Sequence, residues 1–199
     1  MDKTATKNMY RLSSQLEIRP LAKEDKDVWL NRVAKGTDEK DFAKYLNASR
    51  QQQKEDKSYS LAVFSKNGDY LANILISGIV RDIYQSAFIS IYSFSKSIGD
   101  NLFKEAIVAC LDISFKELSL HRLEILYVND LSISKNIFLE IGFRSEGKRI
   151  SSILWKDKWQ DAEVFALTLD EYKRKNIEKT MFYGTEATSV SMIAADSKV

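Results

Sequence analysis

The segment that most restricts the fold is residues 100–118, DNLFKEAIVACLDISFKEL. Glu105, Asp112 and Lys116 recur at helical spacing and make one charged stripe, while most of the remaining surface of such a helix is apolar. A helix of this kind has to be covered on most of its sides. On either side of it stand runs of strand character. Residues 86–94 (SAFISIYSF) are rich in aromatic and β-branched side chains, and residues 121–128 (HRLEILYV) follow the helix. Strand, buried helix and strand make a βαβ passage in the middle of the chain.

The flanking sequence supplies the rest of a sheet. Residues 15–20 (QLEIRP) alternate apolar and polar and predict a strand, with Pro20 at its end where no ladder N–H is needed. Residues 22–35 and 38–54 carry spaced apolar side chains, among them Val28, Leu30, Phe42 and Leu46, and predict two amphipathic helices broken at Gly36-Thr37. Residues 59–65 and 70–78 predict a hairpin whose turn, Lys66-Asn67-Gly68-Asp69, contains Asn-Gly. Further on, Asn129-Asp130 can cap a helix running to about Glu140, with Ile133, Ile137 and Ile141 on one face and Gly142 ending it. Strands over 143–154, with a bulge, and 162–169 come next, then a short helix from Asp170. Antiparallel strands first and a βαβ passage in the middle predict an α+β fold, a mixed central sheet with helices packed on it, rather than a doubly wound parallel sheet. Residues 1–14 read as a polar lead-in, 15–175 as the domain and 176–199 as a loosely held polar tail.

Composition narrows the classes of function. The 30 basic and 28 acidic residues leave a net charge of +2, and the basic residues are scattered, so no nucleic-acid partner is expected. No stretch approaches the roughly 20 apolar residues of a bilayer span. Residues 1–16 contain no apolar run of signal-peptide type, so the expectation is a cytoplasmic protein with no membrane partner. Cys110 is the only cysteine, which rules out an internal disulfide and fits a reducing compartment. One histidine, His121, and one cysteine cannot furnish the usual zinc ligands, so no metal is expected. Cys110 reads as a core residue, and His121 as a packing or hydrogen-bonding residue at a strand start.

Local sequences add a more specific pattern. Leu16-Glu17-Ile18-Arg19-Pro20-Leu21 with Asp25, Glu105-Ala106, Leu120-His121-Arg122-Leu123-Glu124, Ser134, Ile141-Gly142-Phe143-Arg144 with Glu146-Gly147, and Trp159-Gln160-Asp161 leading into Phe165-Ala166-Leu167 form an ordered set over residues 16–172. In order and spacing this set resembles the GNAT N-acetyltransferases, and among them the branch that acetylates the N-terminal amines of ribosomal proteins. The resemblance implies a GNAT-like sheet with helices on both faces and acetyl-CoA as co-substrate. It also implies that the strands from Ser86 and from His121 are parallel neighbours that splay apart at their C-terminal ends, admitting the pantetheine arm.

The family's cofactor loop, Gln/Arg-x-x-Gly-x-Gly/Ala, corresponds to Lys96-Ser97-Ile98-Gly99-Asp100-Asn101, with Phe94 just before it. In the family, backbone N–H groups and a helix N-terminus there hold the coenzyme A pyrophosphate. Gly99 fits the pattern, and Lys96 keeps a donor and a positive charge. Asn101 in place of the second glycine reduces the room for close backbone approach, and Asp100 adds a negative charge beside the expected phosphates. The alternative is an ordinary strand-to-helix turn.

Acetyl transfer from a thioester to an amine needs a neutral amine, a donor to the carbonyl oxygen and a proton for the departing thiolate. No covalent intermediate is required. Many members of the family place a Tyr where this chain has Phe138. The resemblance points instead to Ser134 as the hydroxyl that donates to the leaving sulfur, the other reading being an ordinary helix serine. Leu131 replaces the family's Asn, which leaves Asn129 as a substitute cofactor contact or as a simple helix cap with Asp130. No general base declares itself. Asp161 reads as structural, and Trp155 and Trp159 as groove or packing residues. Two functions stay open. One is transfer of an acetyl group from acetyl-CoA to a primary amine, with a peptide or protein N-terminus first and a small amine such as an antibiotic or amino sugar second. The other is a non-catalytic GNAT-like binding or regulatory protein with a degenerate cofactor loop.

Overall fold

The computed structural model describes residues 7–33, 36–94, 99–128 and 134–175. Among them run β1 (Arg11–Leu12), β2 (Leu16–Arg19), α1 (Lys26–Leu30), α2 (Glu39–Lys54), β3 (Ser58–Ser65), β4 (Tyr70–Val80), β5 (Ser86–Ser93), α3 (Asp100–Asp112), β6 (Arg122–Tyr127), α4 (Asn136–Ile141), β7 (Arg144–Trp155), β8 (Lys158–Thr168) and α5 (Leu169–Arg174). The strands form one mixed sheet in the order β1-β2-β3-β4-β5-β6-β8-β7. Every described neighbouring pair is antiparallel except β5 and β6, which the buried α3 connects as a parallel crossover.

Alternation along the strands builds two cores. On one face Leu61, Val63, Ile74, Ile76, Ile89, Leu123, Ile125, Phe165 and Leu167 pack with Phe103, Ile107 and Leu111 of α3 and with Ile137 and Phe138 of α4. The intervening residues Ala62 and Phe64 face a smaller cluster with Trp29, Phe42 and Leu46 of α1 and α2. A register shift at Val63/Phe64 also turns Tyr70 onto this second face.

The charged stripe on α3 faces the N-terminal strand. Ser13 Oγ donates to Glu105 at 2.7 Å, and Arg11 Nε donates to Asp112 at 2.5 Å. Residues 7–14 of the expected lead-in therefore carry structure: Met9 is buried and β1 adds to the sheet. The helix continues as a π turn over Ile113–Glu117, where the Ser114 hydroxyl donates to the Cys110 carbonyl at 2.7 Å. Cys110 is fully buried, and burial pushes its thiol up to about 12.

Other boundaries shift for local reasons. The first expected helix, 22–35, is a 3-10 turn over Lys23–Asp25 followed by the short α1, and residues 34–35 lie outside the described residues. Asp25 folds back to accept the Ala22 N–H at 2.7 Å and both terminal nitrogens of Arg19 at 2.6 and 2.9 Å, which tightens the entry. Of the helix expected from Asn129, the described part is α4, since 129–133 lie outside the described residues. β8 begins at Lys158, earlier than expected, because Lys156 and Asp157 both take positive φ (50° and 59°) and close a tight hairpin turn. His121 does not pack through its side chain, which is exposed; its backbone bonds to Gln85 and Leu169. The expected tail, 176–199, lies outside the described residues. No helix among the described residues is long and apolar enough to cross a membrane.

Candidate active site

β5 and β6 pair only through Ser86↔Arg122, Ala87↔Leu123 and Phe88↔Glu124. Past that point β5 stays on β4 as far as Ala72↔Ser93, and β6 stays on β8 as far as Tyr127↔Glu163. Each strand keeps its outer partner and leaves the other, so the expected splay is present and the inner backbone edges of both strands are released. A cavity of about 380 Å³ fills the gap. Its wall includes Ile89 and Ile91 on the α3 face and Ser90 and Tyr92 on the opposite face, so the opening passes through the sheet. No described lining residue is charged.

The elements around the gap are fixed by specific local devices. Phe138 of α4 lies edge-on to Phe103 (6.2 Å) and to Tyr127 (5.9 Å), and this aromatic cluster forms the inner wall. In β4 an extra residue at Ser77/Val80 places Gly78 at φ 60°, beneath the Phe88 ring. The β7–β8 hairpin carries two more irregularities. The one between Ser145 and Lys148 contains Gly147 at φ 107°, and the one between Arg149 and Ile153 contains Ser151 at φ 47°. Beyond the second, Ile153 and Trp155 reach the outer wall of the cavity.

The start of α3 lies near the same gap, because Phe103 in its first turns lines the cavity. Gly99 is the N-cap in an extended conformation (φ −61°, ψ 154°) and caps nothing with a side chain. A Cβ there would meet nothing within 4 Å, so neither dihedral strain nor packing within the described chain calls for glycine. Uncapped N–H groups and the positive end of the dipole suit an anion, and this part of the loop fits a pyrophosphate. Lys104 pairs with Glu140 and ties α3 to α4 at the edge of the gap.

The sequence-derived candidates divide as follows. Gly99, Asp100 and Asn101 are exposed at the start of α3. Phe94 donates its N–H to Leu71 at 3.0 Å and lays its ring 4.8 Å from that of Tyr70, on the face away from α3. Ser134 is exposed one turn before Phe138 and is not one of the described cavity-lining residues; its Oγ accepts the Asn136 N–H at 3.3 Å, and its proton has no acceptor among the described residues. Lys96, Ser97, Ile98 and Asn129 lie outside the described residues. Asp161 Oδ1 accepts the Ser151 N–H at 2.9 Å, a structural contact. Trp155 lines the cavity, and Trp159 is 65% exposed. Sequence reasoning missed Tyr92 and Tyr127, the tyrosines at the ends of the two parting strands. Their place at the C-terminal ends of those runs was the available signal.

Residues 15–144 match the model of the family described as Acetyltransferase (GNAT) domain, and the chain belongs to that family. Its chemistry is acetyl transfer from acetyl-CoA to an amine. The probable N-acetyltransferase YjcK of Bacillus subtilis (strain 168) is 26% identical over 125 residues, 62% of this chain and 69% of that protein. RimJ of Mycobacterium smegmatis, solved in complex with CoA-disulfide, superposes with a TM-score of 0.70 at 18% identity, covering 85% of this chain and 91% of that one. The spermidine/spermine N-acetyltransferase SpeG of Vibrio cholerae superposes with a TM-score of 0.66 at 19% identity, covering 81% and 97%. At those identities the superpositions show the fold.

Proposed function

We propose that the chain acetylates the N-terminal amine of a peptide or protein, with the gap between β5 and β6 receiving the thioester end of acetyl-CoA. The observation that carries this reading is the parting of the two strands after Phe88 and Glu124 into an uncharged opening through the sheet. The ordered residues from Leu16 to Leu167 that resemble the ribosomal-protein branch support the choice of a polypeptide acceptor.

Acetyl-CoA supplies the acetyl group as an activated thioester. The first N–H groups of α3 around Gly99, Asp100 and Asn101 would hold its pyrophosphate, with Lys96, Ser97, Ile98 and Asn129 as further contacts, while the Phe94 N–H stays committed to Leu71. The released edge of β5 offers backbone groups to the amides of the pantetheine arm. None of the described lining residues is a carboxylate, so the acceptor amine arrives neutral or loses its proton to solvent. As the C–N bond forms and the C–S bond breaks, the amine's proton leaves to solvent, and Ser134 passes its proton to the departing sulfur and regains one from solvent.

The test is mass spectrometry of synthetic peptides incubated with acetyl-CoA and the full chain. The expected product carries one acetyl group on the α-amine and is absent when that amine is blocked. Ser134→Ala should lower kcat roughly 10²-fold with little change in the Kd of acetyl-CoA. Acetylation of small amines but of no peptide overturns the polypeptide reading, and unchanged kcat removes Ser134 from the mechanism.

A further inference from the structure

A second cavity, of about 430 Å³, lies across the sheet from α3, between the α1–α2 pair and strands β3, β4 and β5. It is within the range of small-ligand sites, ~300–1,000 Å³. Tyr92 lines both this cavity and the one between β5 and β6, so the two are neighbours. The second cavity therefore lies beside the place where the first opens through the sheet at Ser90 and Tyr92.

The wall of the second cavity has a defined chemistry. Trp29 and Tyr45 lie 5.5 Å apart and Tyr70 and Phe94 4.8 Å apart, which makes two preassembled aromatic surfaces. Between them runs a line of polar groups. Ser60 Oγ donates to Asn73 Oδ1 at 2.9 Å, and an amide oxygen only accepts. The single proton of Ser60 is thereby used, so in its 2.9 Å contact with Tyr45 the tyrosine hydroxyl is the donor. Tyr70 also donates to Asn73 Oδ1, at 3.5 Å, and burial holds its hydroxyl above the ordinary tyrosine range, so it keeps its proton. All three hydroxyl protons therefore point into the wall. No described lining residue is acidic or basic.

Such a wall disfavours charge of either sign. A polyamine would bring further ammonium groups with no carboxylate among the described lining residues to pair them, and an acidic side chain would find no cation there, only neutral donors such as the Ser49 and Ser58 hydroxyls. An apolar or aromatic group matches the lining.

Resting on the reading that an N-terminal amine is acetylated, the geometry points to the cavity bounded by Trp29, Tyr45, Tyr70, Tyr92 and Phe94 as the subsite for the acceptor's first side chain, selecting a large apolar or aromatic residue. Tyr92 is a specificity residue at the junction, where the acceptor amine turns towards the donor.

The experiment measures kcat/KM for peptides identical except at the first residue (Phe, Leu, Ala, Lys or Asp), with spermidine as the polycationic comparison. Phe and Leu peptides should exceed Lys and Asp peptides and spermidine by roughly tenfold or more. Ala48→Trp, on an exposed position of α2 at the cavity wall, should raise KM for the Phe peptide severalfold with the Kd of acetyl-CoA unchanged. Tyr45→Phe, which removes the donor to Ser60 at little cost in volume, should reduce the advantage of Phe over Ala. Equal rates across first residues, a preference for Lys or spermidine, or an unmoved KM in Ala48→Trp overturns the subsite while leaving N-terminal acetylation standing. If no amine in the panel gains an acetyl group, acetylation of N-termini falls and the subsite falls with it.

Discussion

The carboxylate of Asp161 on β8 accepts the backbone N–H of Ser151 on β7 at 2.9 Å. Ser151 has a positive φ of 47° and sits where β7 runs from Arg149↔Ala162 to Ile153↔Gln160, four residues advancing against two. Those extra residues have no backbone partner on β8, and the side chain supplies one. The bulge then aims Ile153 and Trp155 at the cavity.

Replacing Asp161 with Ala should cost about 0.5–1.5 kcal/mol in stability, the net value of one hydrogen bond. It should also weaken acetyl-CoA binding severalfold by freeing the outer wall. Asp161→Asn retains an acceptor oxygen and should stay close to the parent in both measurements. Denaturant unfolding and calorimetric titration read the two effects. Equal behaviour of Ala and Asn variants would detach the bulge from the cavity.

Gly78 is the counterpart on β4. Its φ of 60° is unfavourable for a side chain, and an added Cβ would stand 3.0 Å from Phe88 Cδ2. Gly78→Ala should cost about 1–2 kcal/mol for the dihedral alone. It should also displace the Phe88 ring, which lines the cavity, and so raise KM for acetyl-CoA. Adding Phe88→Leu should recover the contact part of the loss and leave the dihedral part. A double-mutant cycle in thermal unfolding separates them, and strict additivity would show that the ring does not feel the new methyl.

Glu171 makes stability depend on acid. Burial pushes its carboxyl up, but the Thr168 hydroxyl (2.7 Å) and N–H (2.9 Å) and the Arg144 guanidinium outweigh it and hold the group at about 2. A depressed carboxyl pKa contributes stability above its unfolded value of about 4.3. Because Arg144 is well exposed and solvent screens its pairing, that contribution is about 1 kcal/mol, and it is lost as pH falls towards 2. The affected element is α5, whose Tyr172 is buried against Phe115. Glu171→Gln should therefore be less stable at pH 7 and show a flatter loss of Tm between pH 5 and pH 2, read by circular dichroism on the full chain. Parallel Tm curves for the two proteins would place the acid sensitivity elsewhere.

Features governed by local chemistry are legible in the sequence. Gly68 takes φ 84° in the expected Asn-Gly turn, Gly142 takes φ 123° at the end of α4, and α3 is buried as its apolar run requires. Features set by contacts between distant segments are not. The bulge in β7 is held by Asp161 across the hairpin, and even the nearby contact that shortens the first helix, Arg19 with Asp25, is a side-chain pairing that periodicity does not reveal. The candidate site divides in the same way. Gly99 follows from a local pattern, whereas Tyr45, Ser60, Asn73 and Tyr92 come from α2, β3, β4 and β5 and meet only when the sheet assembles.

The first residue of α3 gives two effects of opposite sign. Asp100 is exposed in the first turn, where a carboxylate interacts favourably with the helix dipole. Its charge also lies beside the uncapped N–H groups proposed to receive the pyrophosphate. Asp100→Asn should lower the stability of the free protein by about 0.3–1 kcal/mol and tighten acetyl-CoA binding by a similar amount, roughly two- to fivefold in Kd. Lys96→Ala should loosen binding, and Asn101→Gly should be neutral or tighten it, since glycine restores backbone freedom. The Asp100 effect is electrostatic and exposed to solvent, so it should shrink as salt is raised from 50 to about 500 mM. Calorimetric titrations at both ionic strengths, alongside thermal unfolding without ligand, test the pair of signs together. A Kd that ignores Asp100, Lys96 and Asn101 alike would remove the start of α3 from the cofactor site.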